Sequence, residues 1–283
     1  MRVVLSADME AIAGMRSARE VLACCPDYWE SGRAAYTADV VAAAQGLLDA
    51  GATDVVVLDN HASGNPHNLL HDRFPDGVRE ASWNVFDLPA QGIDAMLQVG
   101  YHPRGGVAGF VPHTYTPGLR LRVGGEEISE SHGRAWAAQA PLLGITGNAA
   151  HQRTLGSLAG TPFLVVQEGT DPLFATPVLD DPAAAIREFA REALQGIDEA
   201  PRPVLPAGAT FEARLVGRDD PLFSMELGEW ADAREPLAAA MGAGMAPFMG
   251  HLRALDLSSR EALDRQDPAA LEELTALFLD AIS

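Results

Sequence analysis

The chain of 283 residues contains no lysine; all 20 basic residues are arginine, set against 39 acids for a formal net charge of −19. That balance argues against nucleic acid, whose affinity for proteins comes largely from basic side chains neutralising phosphates. It argues equally against an anionic membrane surface, and an acidic coat of this kind serves solubility. Cysteine is scarce as well: Cys24 and Cys25 are the only two and are adjacent. Neighbouring cysteines close only a strained disulfide, so they build no covalent framework, and a reducing, cytoplasmic location is expected. No apolar run reaches the roughly 18 to 20 residues that span a bilayer, and the chain reads as strand from residue 2 without the charged and apolar regions of a signal peptide.

Hydrophobic residues make up 47% of the chain, enough for a sizeable core. Short apolar runs alternate with alanine-rich helical patterns. Residues 3–7, 53–58 and 95–100 read as strands, and 32–50 as a helix with Val40, Ala43, Ala44, Leu47 and Leu48 on one face and Gly51 as its stop. Residues 119–128 carry Gly124-Gly125 between strand-like arms, a hairpin signal. A helix is expected over 127–142 up to Pro141, a strand in "GTPFLVVQEGT" and a helix over 180–194. Strands alternating with helices predict an α/β fold, mostly parallel with helices on both faces. The proline-interrupted stretch 195–208 is the best linker. The expected organisation is therefore an α/β metal-binding catalytic domain over 1–200 and a smaller C-terminal α+β portion over 201–283, which either stands apart or completes the same domain.

Ligands of parallel α/β sheets bind beyond the carboxyl ends of the strands. The first strand ends at Asp8 and Glu10, the second in "LDNH" with Asp59 and His61, and the third in "QVGYH" with His102. Each piece alone has a bland reading as a solvated turn or loop histidine. Together, two acids and two histidines at one sheet edge point to a metal, with imidazole and carboxylate suiting Zn²⁺ before Mn²⁺ or Co²⁺.

These residues resemble the zinc D-aminopeptidases of the dipeptide-transport type, a family of binuclear metallopeptidases. "SADMEAIAG" is similar to that family's N-terminal signature, "LDNH" and "GYHPR" to its histidine motifs, and His113 in "VPHT" lies eleven residues after His102 as in the family. The resemblance runs from residue 1 to about 170 and is loose beyond 200. It implies two zinc ions on Asp8, Glu10, His61, His102 and Glu130, with Asp8 as the bridge, and His113 as the catalytic residue. It also implies a small peptide or amide substrate, including peptides with D-residues, and a homo-oligomer, a decamer in the family. Where the family has glycine after "Asp-Met-Glu", this chain has Ala11.

Around that set, Asp59 is placed to support His61 as a hydrogen-bond acceptor, and Arg104 to steer a substrate carboxylate. His67 and His71 read as exposed loop residues, His151 as a helix cap or surface residue, and His132 as pointing away from the ligand face of its helix. Competing functions are a haloacid-dehalogenase-type phosphatase, which wants Asp-x-Asp and a lysine that this chain lacks, a non-catalytic metal- or peptide-binding oligomer, and a metal-dependent amidohydrolase of different substrate.

Overall fold

The computed structural model describes residues 1–63, 68–218, 220–254 and 268–282. Strand β1 (Arg2–Ala7) buries both faces: Val3, Leu5 and Ala7 enter one core and Val4 another. A strand without a polar face belongs inside a covered parallel sheet. β1 accordingly pairs in parallel with β2 (Asp54–Asp59) on one side and β4 (Ala95–Tyr101) on the other. The sheet continues through β3 (Val78–Glu80) beyond β2, and through β7 (Leu142–Asn148), β8 (Phe163–Glu168) and β9 (Thr176–Pro177) beyond β4. Its order is β3-β2-β1-β4-β7-β8-β9, parallel throughout except for β9.

Helices cover both faces. On one, α1 (Pro26–Asp49) and α4 (Pro182–Gln195) pack so closely that a Cβ on Gly46 would lie 2.1 Å from the Arg187 carbonyl. On the other, Ala135 and Ala138 of α2 (Glu130–Ala138) join Val4, Val56, Met96 and Ile145. A second, antiparallel sheet runs in the order β11-β10-β5-β6, from β5 (Leu119–Val123), β6 (Glu126–Ile128), β10 (Thr210–Leu215) and β11 (Phe223–Glu226). β10 pairs with β5, so strands after residue 200 are built onto the hairpin that precedes α2. Among the described residues, two further helices follow, α5 (Arg234–Ala254) and α6 (Pro268–Ile282), and Leu271 and Ile282 of α6 join the core beside α1.

Two elements differ from the sequence expectation. α1 begins at Pro26 rather than at residue 32, with the proline in the first turn, where its missing N–H costs nothing. Gly32 lies inside the helix because the Glu20 carbonyl would sit 2.1 Å from any Cβ there. The helix expected over 127–142 is shorter. Gln139 leaves it in the left-handed conformation at φ 51, and the chain re-enters the sheet as β7 at Leu142. β7 escapes a pattern reading because Gly144 and Gly147 interrupt its apolar run. Both serve close approach: a Cβ at Gly147 would lie 2.1 Å from the Tyr101 carbonyl of β4.

Inside α1, Asp39 is buried and accepts a 2.7 Å hydrogen bond from the Ala13 N–H, just beyond the end of β1. Burial pushes its carboxyl up to about 7. The folded chain therefore holds a proton there that the unfolded chain has released, and stability falls as pH rises from about 4 to about 7. The Asp39 contribution has a slope of up to about 1.4 kcal/mol per pH unit in that window. Asp39→Asn should remove it, so in urea denaturation the variant gains on the wild type at pH 8 relative to pH 5. Equal pH dependence in the two proteins would contradict the assignment.

Candidate metal centre

The centre forms where β1, β2 and β4 end. After β1 the chain turns through Asp8 and Glu10 while the Asp8 N–H bonds the Val99 carbonyl at 2.8 Å and the Ala11 N–H bonds Gly100 at 2.9 Å. This close crossing requires Gly100, which has φ +79 and whose Cβ would lie 2.0 Å from the Asp8 carbonyl. His61 follows β2, His102 follows β4, His113 comes from the loop beyond, and Glu130 is the first residue of α2. None of the six is more than 9% exposed.

Their side chains converge. His61 Nδ1 lies 3.0 Å from Glu10 Oε1 and 3.9 Å from Asp8 Oδ1. His102 Nε2 is 3.6 Å from Asp8 Oδ2 and 3.7 Å from Glu130 Oε1. His113 Nε2 is 3.8 Å from Glu10 Oε1 and 4.0 Å from Glu130 Oε1. The rings of His102 and His113 stack with centroids 4.0 Å apart. Three groups of ligand atoms, each within 4.8 Å, overlap: Asp8 with Glu10 and His61, Asp8 with His102 and Glu130, and Glu10 with His102 and His113. His113 belongs to one of them, so position alone admits it as a ligand too.

The imidazole tautomers follow from the backbone. His61 Nε2 donates to the Val21 carbonyl at 2.7 Å, His102 Nδ1 to Pro103 at 3.0 Å and His113 Nδ1 to Val111 at 2.9 Å. In each neutral ring the remaining nitrogen carries a lone pair, and all three lone pairs face carboxylates. His102 Nε2 and Glu10 Oε2 are buried without a hydrogen-bond partner. Such an arrangement is repulsive until positive charge sits among the groups. The electrostatics agree. Burial and Glu10 push Asp8 well up, whereas Glu10, despite burial, is held well down by His61. Burial lowers both His61 and His102, yet the surrounding acids override it and raise them to about 9 and about 10. His113 goes the other way, lowered by burial and by His102. An oxygen and imidazole donor set with unpaired buried atoms is what a divalent cation such as Zn²⁺ fits.

Asp59 accepts from Tyr36, Asn68 and the His61 backbone N–H, and it shapes the His61 turn while the ring itself is held by Val21. Arg104 pairs with Glu127 and the Gly105 carbonyl. His71 is exposed beside Glu80, and His67 lies outside the described residues. His132 bonds the Leu155 carbonyl at 2.9 Å, away from the centre. His151 is not a cap or surface residue: it is fully buried and bonded to Ser131 Oγ at 2.8 Å, while Asn148 caps its helix, α3 (Ala149–Gln152). Ala11 takes the family glycine's place without strain. Among the described residues, positive φ outside glycine occurs only at Val111, Tyr115 and Gln139. The first two bracket His113, and the Tyr115 N–H is tied to Glu130 Oε1.

Two residues had no signal as site residues in sequence. Gln167, the buried polar residue in the apolar run of β8, donates to the Glu10 carbonyl at 3.0 Å and the Ile12 carbonyl at 3.2 Å. Asn148, at the end of β7, donates to Gln167 Oε1 at 2.9 Å and fixes its amide.

A family profile described as D-aminopeptidase (Peptidase_M55) matches residues 1–220. A search of curated proteins gives no match. Among solved structures, the chain is similar in fold to the Zn-dependent D-aminopeptidase DppA from Bacillus subtilis, described as a self-compartmentalizing protease. The TM-score is 0.76 at 17% identity, covering 87% of this chain and 98% of that one.

Replacing Gln167 by Leu removes both bonds to the Glu10 turn and leaves the Glu10 carbonyl unpaired, while the Ile12 carbonyl keeps the Met15 N–H, at a cost of about 1–3 kcal/mol. Zinc affinity should fall in a competition titration with a fluorescent chelator. A variant that binds zinc as tightly as the wild type would show that the turn needs no such clamp.

Proposed function

The chain belongs to the D-aminopeptidase family, and on that premise we propose that it is a binuclear zinc aminopeptidase releasing the N-terminal residue of small peptides, including those with D-residues. The observation that carries the reading is the convergence of three buried carboxylates and three imidazole lone pairs with His102 Nε2 and Glu10 Oε2 unpaired. The donors outnumber what one four-coordinate ion takes, and the overlapping groups share Asp8, Glu10 and His102, which supports two ions. Asp8, Glu10, His61, His102 and Glu130 would hold them, Asp8 as the bridge because each of its oxygens faces a different histidine. Bound there, a pair of divalent cations supplies Lewis-acid polarisation of the scissile carbonyl and a lowered pKa for an attacking water.

The chain's own residues do the rest. His113, the most exposed of the six, has Nδ1 committed to Val111 and keeps Nε2 free as an acceptor. It takes the proton of the attacking water and delivers it to the departing nitrogen. The residues at Val111 and Tyr115, held at φ 44 and 61, fix that ring's approach. Glu130 is kept in place by the Tyr115 N–H and faces Arg134 at 4.0 Å. The deep burial of the cluster keeps bulk water from the charges. A homo-oligomer, with the decamer as its form, is the proposed assembly; the self-compartmentalizing description of the structural neighbour supports it.

His113→Ala should retain zinc while turnover of D- and L-dipeptides falls by about 10²–10⁴-fold, whereas Asp8→Ala and Asp8→Asn should lose both metal and activity. Zinc content by mass spectrometry together with a dipeptide screen checks this. Full zinc content in the Asp8 variants would overturn the bridge, and zinc-loaded wild type inert toward every dipeptide would overturn catalysis.

A further inference from the structure

Arg104 stands two residues after His102, and its loop is laced to the loop of His113. The His113 N–H bonds the Pro103 carbonyl at 3.2 Å, and the Gly105 N–H bonds Thr114 Oγ1 at 3.1 Å. Glu127, three residues before Glu130, accepts from Arg104 through one oxygen and from Arg120 through the other. One carboxylate thus serves two guanidiniums. The excess continues across the outward face of the antiparallel sheet. Arg122 stands opposite Glu127 on β6 and Glu212 on β10, and Glu212 also takes Arg214 at 3.1 Å. β5 alternates cleanly here, with Leu119, Leu121 and Val123 in the core and Arg120 and Arg122 outward. Arg104, Arg120 and Arg122 thus gather around Glu127, in a chain whose net charge is −19. The surplus borders the backbone segments that carry His102, His113 and Glu130.

Like charges massed together repel, and a further anion among them relieves that repulsion. Each peptide residue spans at most about 3.5 Å. The C-terminal carboxylate of a dipeptide therefore lies within one residue of the bond being cut, while that of a long peptide lies far outside. Guanidiniums held in a fixed plane suit a carboxylate better than a mobile ammonium does. Resting on the aminopeptidase reading above, we infer that Arg104 and Arg120, spread by Glu127, anchor the free C-terminal carboxylate of di- and tripeptide substrates and so set the enzyme's preference for short peptides.

The test pairs a dipeptide of small D-residues with its C-terminal amide, and uses the reduced-bond (CH₂–NH) analogues of both for calorimetric binding to the zinc-loaded protein. The wild type should favour the free acid on the order of tenfold, in KM and in Kd, the scale of one charge-assisted contact. Arg104→Gln should bring that ratio toward one, Arg104→Lys should restore part of it, and Glu127→Gln should increase it by releasing both guanidiniums. A purely structural clamp would make the Arg104 and Glu127 variants move together, with the acid-to-amide ratio unchanged, and that result overturns the inference. Turnover of both peptides at equal efficiency likewise sinks the anchor while leaving the aminopeptidase standing. Acid-selective binding without turnover of either peptide keeps the anchor and sinks catalysis.

Discussion

Three carboxylates and three imidazole lone pairs held within a few ångströms of each other, away from water, are mutually repulsive until positive charge is placed among them. Desolvation alone makes an unpaired buried carboxylate costly by several kcal/mol, and here Asp8, Glu10 and Glu130 are all buried. Without a cation the centre borrows protons, which is why His61 and His102 are raised despite burial. The arrangement is thus unfavourable for folding in itself and makes sense as a receptacle. Much of the surrounding structure exists to hold it against its own repulsion: the Gly100 crossing, the Gln167 clamp and the three backbone carbonyls that fix the imidazoles.

The sheet solves the delivery problem. Adjacent parallel strands β2, β1 and β4 all point their carboxyl ends the same way, so residues 59–61, 8–10 and 102 arrive together although they are distant in sequence. Each strand is anchored by two apolar faces, so the ligands' backbones inherit the rigidity of the core. His113 and Glu130 come from outside this sheet, on a loop and at a helix start. They are joined to each other instead, through the Tyr115 N–H. The centre is therefore rigid on one side and loop-borne on the other, and the group assigned to proton transfer lies on the loop side.

This division explains what the sequence discloses. The strand-end ligands are legible because strand periodicity and strand ends are local: "SADME", "LDNH" and "GYH" each announce themselves within a few residues. Family resemblance adds His113 and Glu130, whose positions no local period reveals. β7 is hidden because Gly144 and Gly147, required by close packing on Phe189 and Tyr101, dilute its apolar pattern. The roles of Gln167 and Asn148 are hidden because they depend on contacts some 150 residues apart in the chain for Gln167 and Glu10. His151 misleads for the same reason, since a histidine beside a helix start reads as surface until Ser131 and Tyr101 are seen to enclose it.

The absence of lysine takes on a meaning at the rim of the centre. Glu127 divides its two oxygens between two side chains, which needs cations that present N–H groups in a plane and stay charged when partly buried. Arginine meets both demands; lysine, a point charge whose pKa falls readily on desolvation, meets neither. Composition alone shows only an acidic protein suited to solubility. Placed on the fold, the buried acids Asp8, Glu10 and Glu130 call for metal while the surface acids solvate. The arginines beside the centre then form a local positive margin to an otherwise negative molecule. An anionic carboxylate reaching that margin would meet charge opposite in sign to the net −19 of the chain, and that local sign follows from which strand or loop each arginine sits on rather than from how many there are.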